Sequence, residues 1–387
     1  MTGQRAAVAQ LGGVSPSTRP ACATVTAGPT DRPARRILYL VHDLDDPAVW
    51  RRVEMLQRGG ASVDLAGFRR GDGALPGPAR VLGRTHNGRM VERAWAVLHR
   101  RLRPHPDLAQ GARPDAILAR NLETLALAVP LQHAFGPGPR VALAYEVLDI
   151  HRLLVGPRPV ARLLRRVERW LARGVDLLLV SSPGFVRAYF DPYGQCAAPV
   201  ALVENKVPPN YPPTGAAAVR PPTAPSRAIR IGCFGMLRCR RSLHLLDRLT
   251  KGAPGRYEVI LRGRPAYDAV PEFHRIVAAN PDLRFAGPYT YPDELPAIYG
   301  AVDLAWLVDC YEAGANSDWL LPNRFYESGV AGVPAVALAQ TEVGRRLRAL
   351  GIGLLLERAD DACVAAALGG VSLAGLDPLR VAQRRLP

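Results

Sequence analysis

Apolar residues come along this chain in short unbroken runs, separated by stretches in which they recur every three or four positions. The first run, Arg36-Ile37-Leu38-Tyr39-Leu40-Val41, does not alternate apolar with polar positions, the pattern of a strand covered on both faces. A helical period at 48–58 follows, closed by Gly59-Gly60, and then a short strand at 62–66. Further buried strands are predicted at 115–119, 141–145, 175–180 and 200–203, with helices at 89–101, 122–134, 160–171 and 183–190 between most of them. Strands alternating with helices predict a parallel, doubly wound sheet covered by helices.

The periodicity lapses after 207, where Pro, Ala and Thr dominate, and this stretch reads as a linker. The pattern restarts with strands at 229–234, 257–261, 283–285, 304–308 and 335–338, and helices at 242–249, 268–279, 292–299 and 323–331. The expected organisation is a disordered tail at 1–33, an α/β domain at 34–207, a linker at 208–228 and a second α/β domain at 229–387. Two such domains enclose a cleft, and ligands of parallel sheets bind beyond the carboxyl ends of the strands.

Composition narrows the function classes. A chain of 387 residues exceeds one ordinary core, which agrees with two domains. No apolar run approaches the roughly 20 residues of a membrane-spanning helix, and residues 1–33 lack the apolar stretch of a signal peptide, so the expected location is the cytoplasm. Cys22, Cys196, Cys233, Cys239, Cys310 and Cys363 show no CxxC spacing and no His/Cys cluster, and read as free thiols rather than a zinc or disulfide framework. The net charge of +16 allows nucleic acid, an anionic membrane or an anionic substrate as partner. A GC-rich genome explains the preference for Arg over Lys, but not the sign of the charge. Against nucleic acid, no recognisable binding module appears and aromatic residues are only 6% without a stacking cluster. Against a dinucleotide oxidoreductase, no GxGxxG follows either opening strand.

Candidate chemistry concentrates in Leu321-Pro322-Asn323-Arg324-Phe325-Tyr326-Glu327-Ser328-Gly329 and the following Gly332-Val333-Pro334. Pro322 presets the first turn of a helix, and the Gly-Val-Pro break delivers the chain into a strand. Glu327 then stands one turn inside a short helix. A buried carboxylate there needs hydrogen-bond donors such as a ribose diol; a surface Glu satisfied by Arg324 fits the spacing equally well.

These residues resemble glycosyltransferase family 4 and its GT-B relatives, whose C-terminal domain carries a Glu followed by small residues, then Gly-x-Pro and an apolar strand. Ile231-Gly232-Cys233-Phe234-Gly235-Met236-Leu237 is similar to that family's opening strand and glycine turn. Leu283-Arg284-Phe285-Ala286-Gly287-Pro288-Tyr289 resembles the strand and loop that meet the base, and Tyr299-Gly300-Ala301-Val302-Asp303-Leu304 the helix-to-strand junction that follows. The resemblance runs from about Arg36 to Leu356. It implies a GT-B fold, two Rossmann-like domains facing across a cleft, and a transferase that moves a hexose from a nucleotide diphosphate sugar to an acceptor. It also implies that Glu327 binds the donor ribose. Tyr145-Glu146-Val147-Leu148-Asp149-Ile150-His151-Arg152, with Trp319-Leu320-Leu321-Pro322-Asn323-Arg324, resembles more narrowly the bacterial exopolysaccharide glucosyltransferases of the succinoglycan type, which implies UDP-glucose as donor. The chain departs from the family at several points. Trp319 stands where the Glu-x7-Glu motif has its first Glu, with Asp318 one residue away. Met236 replaces an Arg, Arg241 stands for the diphosphate Lys, and Leu148 stands for the usual His, with Asp149 and His151 just beyond.

Chemistry suggests the remaining roles. Arg238 and Arg241 follow Gly235 at the mouth of a strand, where a leaving diphosphate needs positive charge; the alternative is a solvated surface arginine. Asn323 and Arg324 open the Glu327 helix, whose dipole also favours anions. Asp318, after the small-residue loop Gly314-Ala315-Asn316-Ser317, accepts sugar hydroxyls or merely closes an ordinary loop. Asp46, in His42-Asp43-Leu44-Asp45-Asp46, together with Asp149 and His151, follows strands of the first domain. An inverting transferase needs one of them as general base, whereas a retaining one can rely on the leaving phosphate. No metal or other cofactor is expected. Two basic amphipathic helices are predicted, at 89–101 (Trp95, Val97, Leu98 and then Leu102 beside Arg93, Arg100, Arg101 and Arg103) and at 158–173. They suit an anionic membrane surface and a lipid-linked saccharide acceptor, or else are core helices with solvated backs. The competing readings are a non-hydrolysing nucleotide-sugar epimerase on the same fold and a nonenzymatic basic scaffold.

Overall fold

The computed structural model describes residues 34–84, 112–207 and 228–385. The tail at 1–33, the basic helix expected at 89–101 and the linker at 208–228, apart from Ala228, lie outside them. Among the described residues the strands form two sheets, every pairing parallel. The first sheet contains β1 (Arg36–Val41), β2 (Ser62–Arg69), β3 (Arg80–Arg84), β4 (Ala116–Arg120), β5 (Ala142–Val147), β6 (Leu177–Val180) and β7 (Val200–Leu202), in the order β3-β2-β1-β4-β5-β6-β7. The second contains β8 (Ile229–Leu237), β9 (Tyr257–Pro265), β10 (Leu283–Phe285), β11 (Leu304–Trp306), β12 (Ala335–Leu338) and β13 (Gly353–Leu356), in the order β10-β9-β8-β11-β12-β13. Each order reverses beside its opening strand, at β1/β4 and at β8/β11, which opens a crevice at the carboxyl ends of those strands.

The unalternating apolar runs are explained by burial on two faces. Along β1, Leu38 and Leu40 enter one core while Tyr39 and Val41 enter another, so both parities must be apolar. The second sheet repeats this: Ile231, Val259, Trp306 and Val336 pack on one side, and Phe234, Ile260, Ala305 and Ala335 on the other. Fully burying one Leu or Val contributes roughly 1.5–3 kcal/mol, so a single Leu40→Asp exchange would leave a costly charge between helix and sheet.

Several boundaries shift for physical reasons. The helix expected at 268–279 begins only at Phe273, because Pro271 disfavours a helical conformation at Val270. The glycine expected to turn the chain at 235 lies instead inside β8 with φ +93°. There it pairs with Gly263 of β9, where a Cβ would collide with the Gly235 carbonyl, so both glycines let the strands continue past the expected ends. β3 has no apolar pattern to announce it, since only Leu82 enters the core. After β12 the chain adds the Glu342–Leu350 helix, N-capped by the Thr341 hydroxyl and ended by Gly351 at φ +65°, and then β13. Among the described residues no single helix is long and apolar enough to cross a membrane.

Candidate active site

The carboxyl end of the second sheet is lined by arginine. Arg238 leaves β8 and pairs with Asp309 at 3.4 Å, its guanidinium stacked over the Tyr311 ring at 4.8 Å. Arg324, from the Asn323–Val330 helix, reaches the same Asp309 at 4.0 Å and donates to the Phe234 carbonyl at 3.4 Å. Asp309, which the sequence pattern did not single out, therefore orients two of the three expected arginines. The third, Arg241, is largely exposed at the start of the Arg240–Gly252 helix and donates through Nε to the Ala359 carbonyl at 2.6 Å. Arg238, Asp309 and Arg324 border a small open recess that Cys233 and Cys239 also line.

Glu327 is buried and accepts a hydrogen bond from Tyr299 Oη at 3.1 Å, so the structure excludes the exposed carboxylate of the alternative reading. Burial pushes its carboxyl up; Tyr299, Arg51 and Arg324 oppose the shift. Tyr289 stands close by, its hydroxyl pushed up to about 12 by burial and by the charge of Glu327. A Cβ on Gly235 would lie 3.8 Å from Arg324 Cδ and 4.0 Å from Tyr289 Oη. Gly235, Tyr289, Arg324 and Glu327 are thus gathered at one place. Asn323 opens the helix, and its N-cap, Pro322, supplies no side-chain hydrogen bond to the first N–H groups. Asp318 is not in a loop but in the short helix Asn316–Trp319, and one of its oxygens is already taken by the Gly314 N–H at 2.7 Å.

The carboxyl end of the first sheet has the opposite chemistry. Asp149 follows β5 and remains accessible at the cleft, yet surrounding protein pushes its carboxyl up to about 6, with the charge of Glu123 the next cause. Asp46 caps the Pro47–Arg58 helix by accepting from Ala48 N at 2.9 Å, and its other oxygen lies 3.7 Å from Arg120. His151 uses Nδ1 to accept from Leu153 N at 3.2 Å, so this nitrogen is engaged with backbone. Asp46 and Asp149 both bear on Arg120, and Glu312 of the second half adds its charge beside Asp149.

Sequence reasoning missed the centre of this group. Arg120 ends β4 with 1% exposure, and its Nη1 has no hydrogen-bond partner among the described residues. Asn121 follows at φ +67°, a non-glycine residue held in the left-handed region, with its buried Oδ1 likewise unpartnered among the described residues. Beneath them Glu146 is held by Tyr39 Oη at 2.6 Å and by Arg52 Nε at 2.5 Å. The available signal was two polar residues, Arg120-Asn121, interposed between an apolar strand and an apolar helix.

The two halves meet directly. Asn316 Oδ1 accepts from Ile150 N at 2.8 Å and its Nδ2 donates to Ile150 O at 2.9 Å. Ser182 Oγ donates to the Trp319 carbonyl at 2.5 Å, close enough that a Cβ on neighbouring Gly184 would collide with that carbonyl. Arg51 of the first half donates to Tyr291 Oη at 2.9 Å and lies over its ring.

No family model matches the chain. It is 44% identical over 342 residues to the succinoglycan biosynthesis protein ExoL of Rhizobium meliloti (strain 1021), a match covering 86% of this chain and 84% of that one. Among solved structures it is similar to sucrose-phosphate synthase from Thermosynechococcus elongatus (TM-score 0.68, 14% identity, covering 90% of this chain and 93% of that one). It is similar to Anabaena HepE in complex with UDP and glucose (TM-score 0.58, 17% identity, covering 91% and 95%). It is also similar to the lipopolysaccharide outer core galactosyltransferase WaaB (TM-score 0.59, 13% identity, covering 90% and 95%). At such identities these three likenesses are of fold. The chain therefore belongs to the family of the succinoglycan biosynthesis protein ExoL and carries the GT-B fold of the glycosyltransferases.

Proposed function

We propose that this chain is a transferase that moves a hexose, glucose, from UDP-glucose to a growing lipid-linked saccharide in exopolysaccharide synthesis. The observation that carries this reading is the opposition of chemistries across the cleft. Arg238 and Arg324, ordered by Asp309, face one side, and the carboxylates Asp46 and Asp149 around Arg120 face the other. Cations suit a departing diphosphate, whereas carboxylates accept the hydroxyls of a neutral sugar. Glu327 takes the donor ribose, Tyr289 and Gly235 border the base and ribose, and Asn323 with Arg241 meets the phosphates. The arginines supply the charge that a metal would otherwise bring, so transfer is proposed to proceed without one. Asp149 accepts the proton of the attacking hydroxyl, with Asp46 and His151 positioned nearby on the same sheet and Asp318 on the donor sugar. The names of ExoL, which assigns it to succinoglycan biosynthesis, and of HepE, bound to UDP and glucose, support the polymer and the donor.

The Pro159–Ala172 helix supports work at the inner face of a membrane. It exposes Val160, Leu163, Val167 and Trp170 at helical spacing, flanked by exposed Arg158, Arg162, Arg166 and Arg173. An apolar stripe between cations fits an anionic lipid surface, where a lipid-linked acceptor resides.

The test is a thermal-shift and turnover screen of UDP-, GDP-, ADP- and dTDP-sugars. UDP-glucose is expected to stabilise the protein most and to release UDP faster when acceptor is added. Conversion of the sugar without any acceptor would instead establish the epimerase reading, and stabilisation by no sugar nucleotide would overturn both.

A further inference from the structure

Beside the donor end of the second sheet lies a pair of thiols that the reaction does not need. Cys239 is the N-cap of the Arg240–Gly252 helix, and its Sγ accepts from Ser242 N at 3.4 Å and from Cys310 N at 3.1 Å. The Cys310 N–H thus holds its residue directly against that sulfur. Both residues are partly accessible, and Cys239 lines the recess that holds Arg238, Arg324 and Asp309. The two segments are further tied by Ser242 Oγ, which donates to the Val308 carbonyl at 2.6 Å. Two cysteines joined through the Cys239 sulfur, at a helix start that stabilises an anion, form the arrangement that thiol–disulfide exchange requires.

We propose that Cys239 and Cys310 are a thiol–disulfide exchange site, closed by a low-molecular-weight disulfide and kept open by a bound nucleoside diphosphate. The Cys239 thiolate attacks one sulfur of the small disulfide, whose S–S bond breaks and releases one thiolate. A mixed disulfide on Cys239 remains. Cys310 then gives up its proton and attacks the Cys239 sulfur, expelling the second small thiolate, which takes that proton. Two protein thiols are oxidised to one disulfide while the small disulfide is reduced to two thiols.

The surroundings assign the parts. The Cys310 side chain pushes Cys239 down against its burial, helped by the Ser242 side chain and by the Cys310 and Ser242 N–H groups, so Cys239 is the attacking sulfur; the same neighbour pushes Cys310 up. Cys233, deeper in the core, is pushed up to about 11 by burial and stays a thiol. The second part of the proposal rests on the donor reading above. A diphosphate held by Arg238 at this helix start places negative charge beside Cys239, which favours the thiol and covers it.

The test uses the full chain, reduced and then exposed to glutathione disulfide, with peptides mapped without reduction. The expected product links Cys239 to Cys310 and is reversed by dithiothreitol. Cys310→Ser is expected to accumulate glutathione on Cys239, whereas Cys239→Ser leaves Cys310 unreacted. Saturating UDP is expected to slow closure several-fold. Modification of Cys196 or Cys363 at a similar rate, a Cys239–Cys233 link, or an unreactive Cys239 in Cys310→Ser overturns the exchange site. Thermal shift by UDP in the same samples separates the remaining failures. UDP that binds without changing the rate overturns the coupling, and UDP that does not bind overturns the donor reading while the peptide map still decides the thiols.

Discussion

Asn316 holds the backbone of Ile150 by both of its groups, accepting from the amide at 2.8 Å and donating to the carbonyl at 2.9 Å, although 166 residues separate them in the chain. The pair is buried, and Asn316 also donates to Glu312 at 2.9 Å, so one amide side chain joins the loop after β5 to the segment before the Glu327 helix. Asp149 immediately precedes Ile150, and Asp318 stands two residues beyond Asn316. This bridge thus sets the spacing between the Asp149 loop of the first half and the Asp318 segment of the second.

Asn316→Ala is expected to destabilise the chain by about 2–4 kcal/mol, since it leaves the amide and carbonyl of Ile150 without their partner. Thermal unfolding checks this. Turnover is expected to fall further than donor affinity, because the change disturbs the relation of the halves rather than the nucleotide contacts.

Glu327→Ala is expected to cost roughly 1.5–3 kcal/mol in nucleotide binding, the scale of a hydrogen bond to a charged group. Isothermal titration with UDP measures it. Unaltered affinity in a folded variant would remove Glu327 from the ribose and leave its bond from Tyr299 as a structural one.

Arg241→Ala is expected to reduce turnover of the sugar nucleotide much more than binding of uridine, which carries no phosphate. Because Arg241 also donates to the Ala359 carbonyl, thermal unfolding is recorded alongside. Equal losses for both ligands, following a lowered melting midpoint, would mark it as a structural arginine.

Asp149 sets the expected pH dependence. Desolvation by the surrounding protein and then Glu123 raise its carboxyl to about 6, and a general base works ionised, so kcat/KM is expected to fall as pH drops through 6 and to level off above it. Glu123→Gln removes a repulsive charge and is expected to move that limb to lower pH. A limb that stays in place would assign it to another group.

The exposed face of the Pro159–Ala172 helix is expected to bring the protein down with anionic liposomes at low salt and to release it at high salt. Each arginine near such a surface contributes about 1 kcal/mol, and the attraction fades within roughly 8 Å at physiological ionic strength. Leu163→Asn combined with Trp170→Asn is expected to weaken sedimentation while donor-dependent thermal shift is retained. Retention of full binding by that variant would leave the helix as a solvated face.

Local pattern was enough for the two-domain architecture, though not for β3, the Glu342–Leu350 helix or β13. A strand or helix buries side chains at a fixed period, so the apolar run of Arg36–Val41, the Gly332-Val333-Pro334 break and the position of Glu327 one turn into its helix were legible from neighbours in sequence. What each charged group does was not. Arg120 acquires Asp46 and Glu146 only because parallel crossovers set β4 between β1 and β5. Asp309 orders Arg238 and Arg324, and Cys239 meets Cys310, only because β11 lies against β8. Hydrophobic burial is read along the chain, since each residue answers for its own exposure. Electrostatic partnership falls off over a few ångströms and belongs to whichever segments the topology brings together, so the tertiary structure alone decided it.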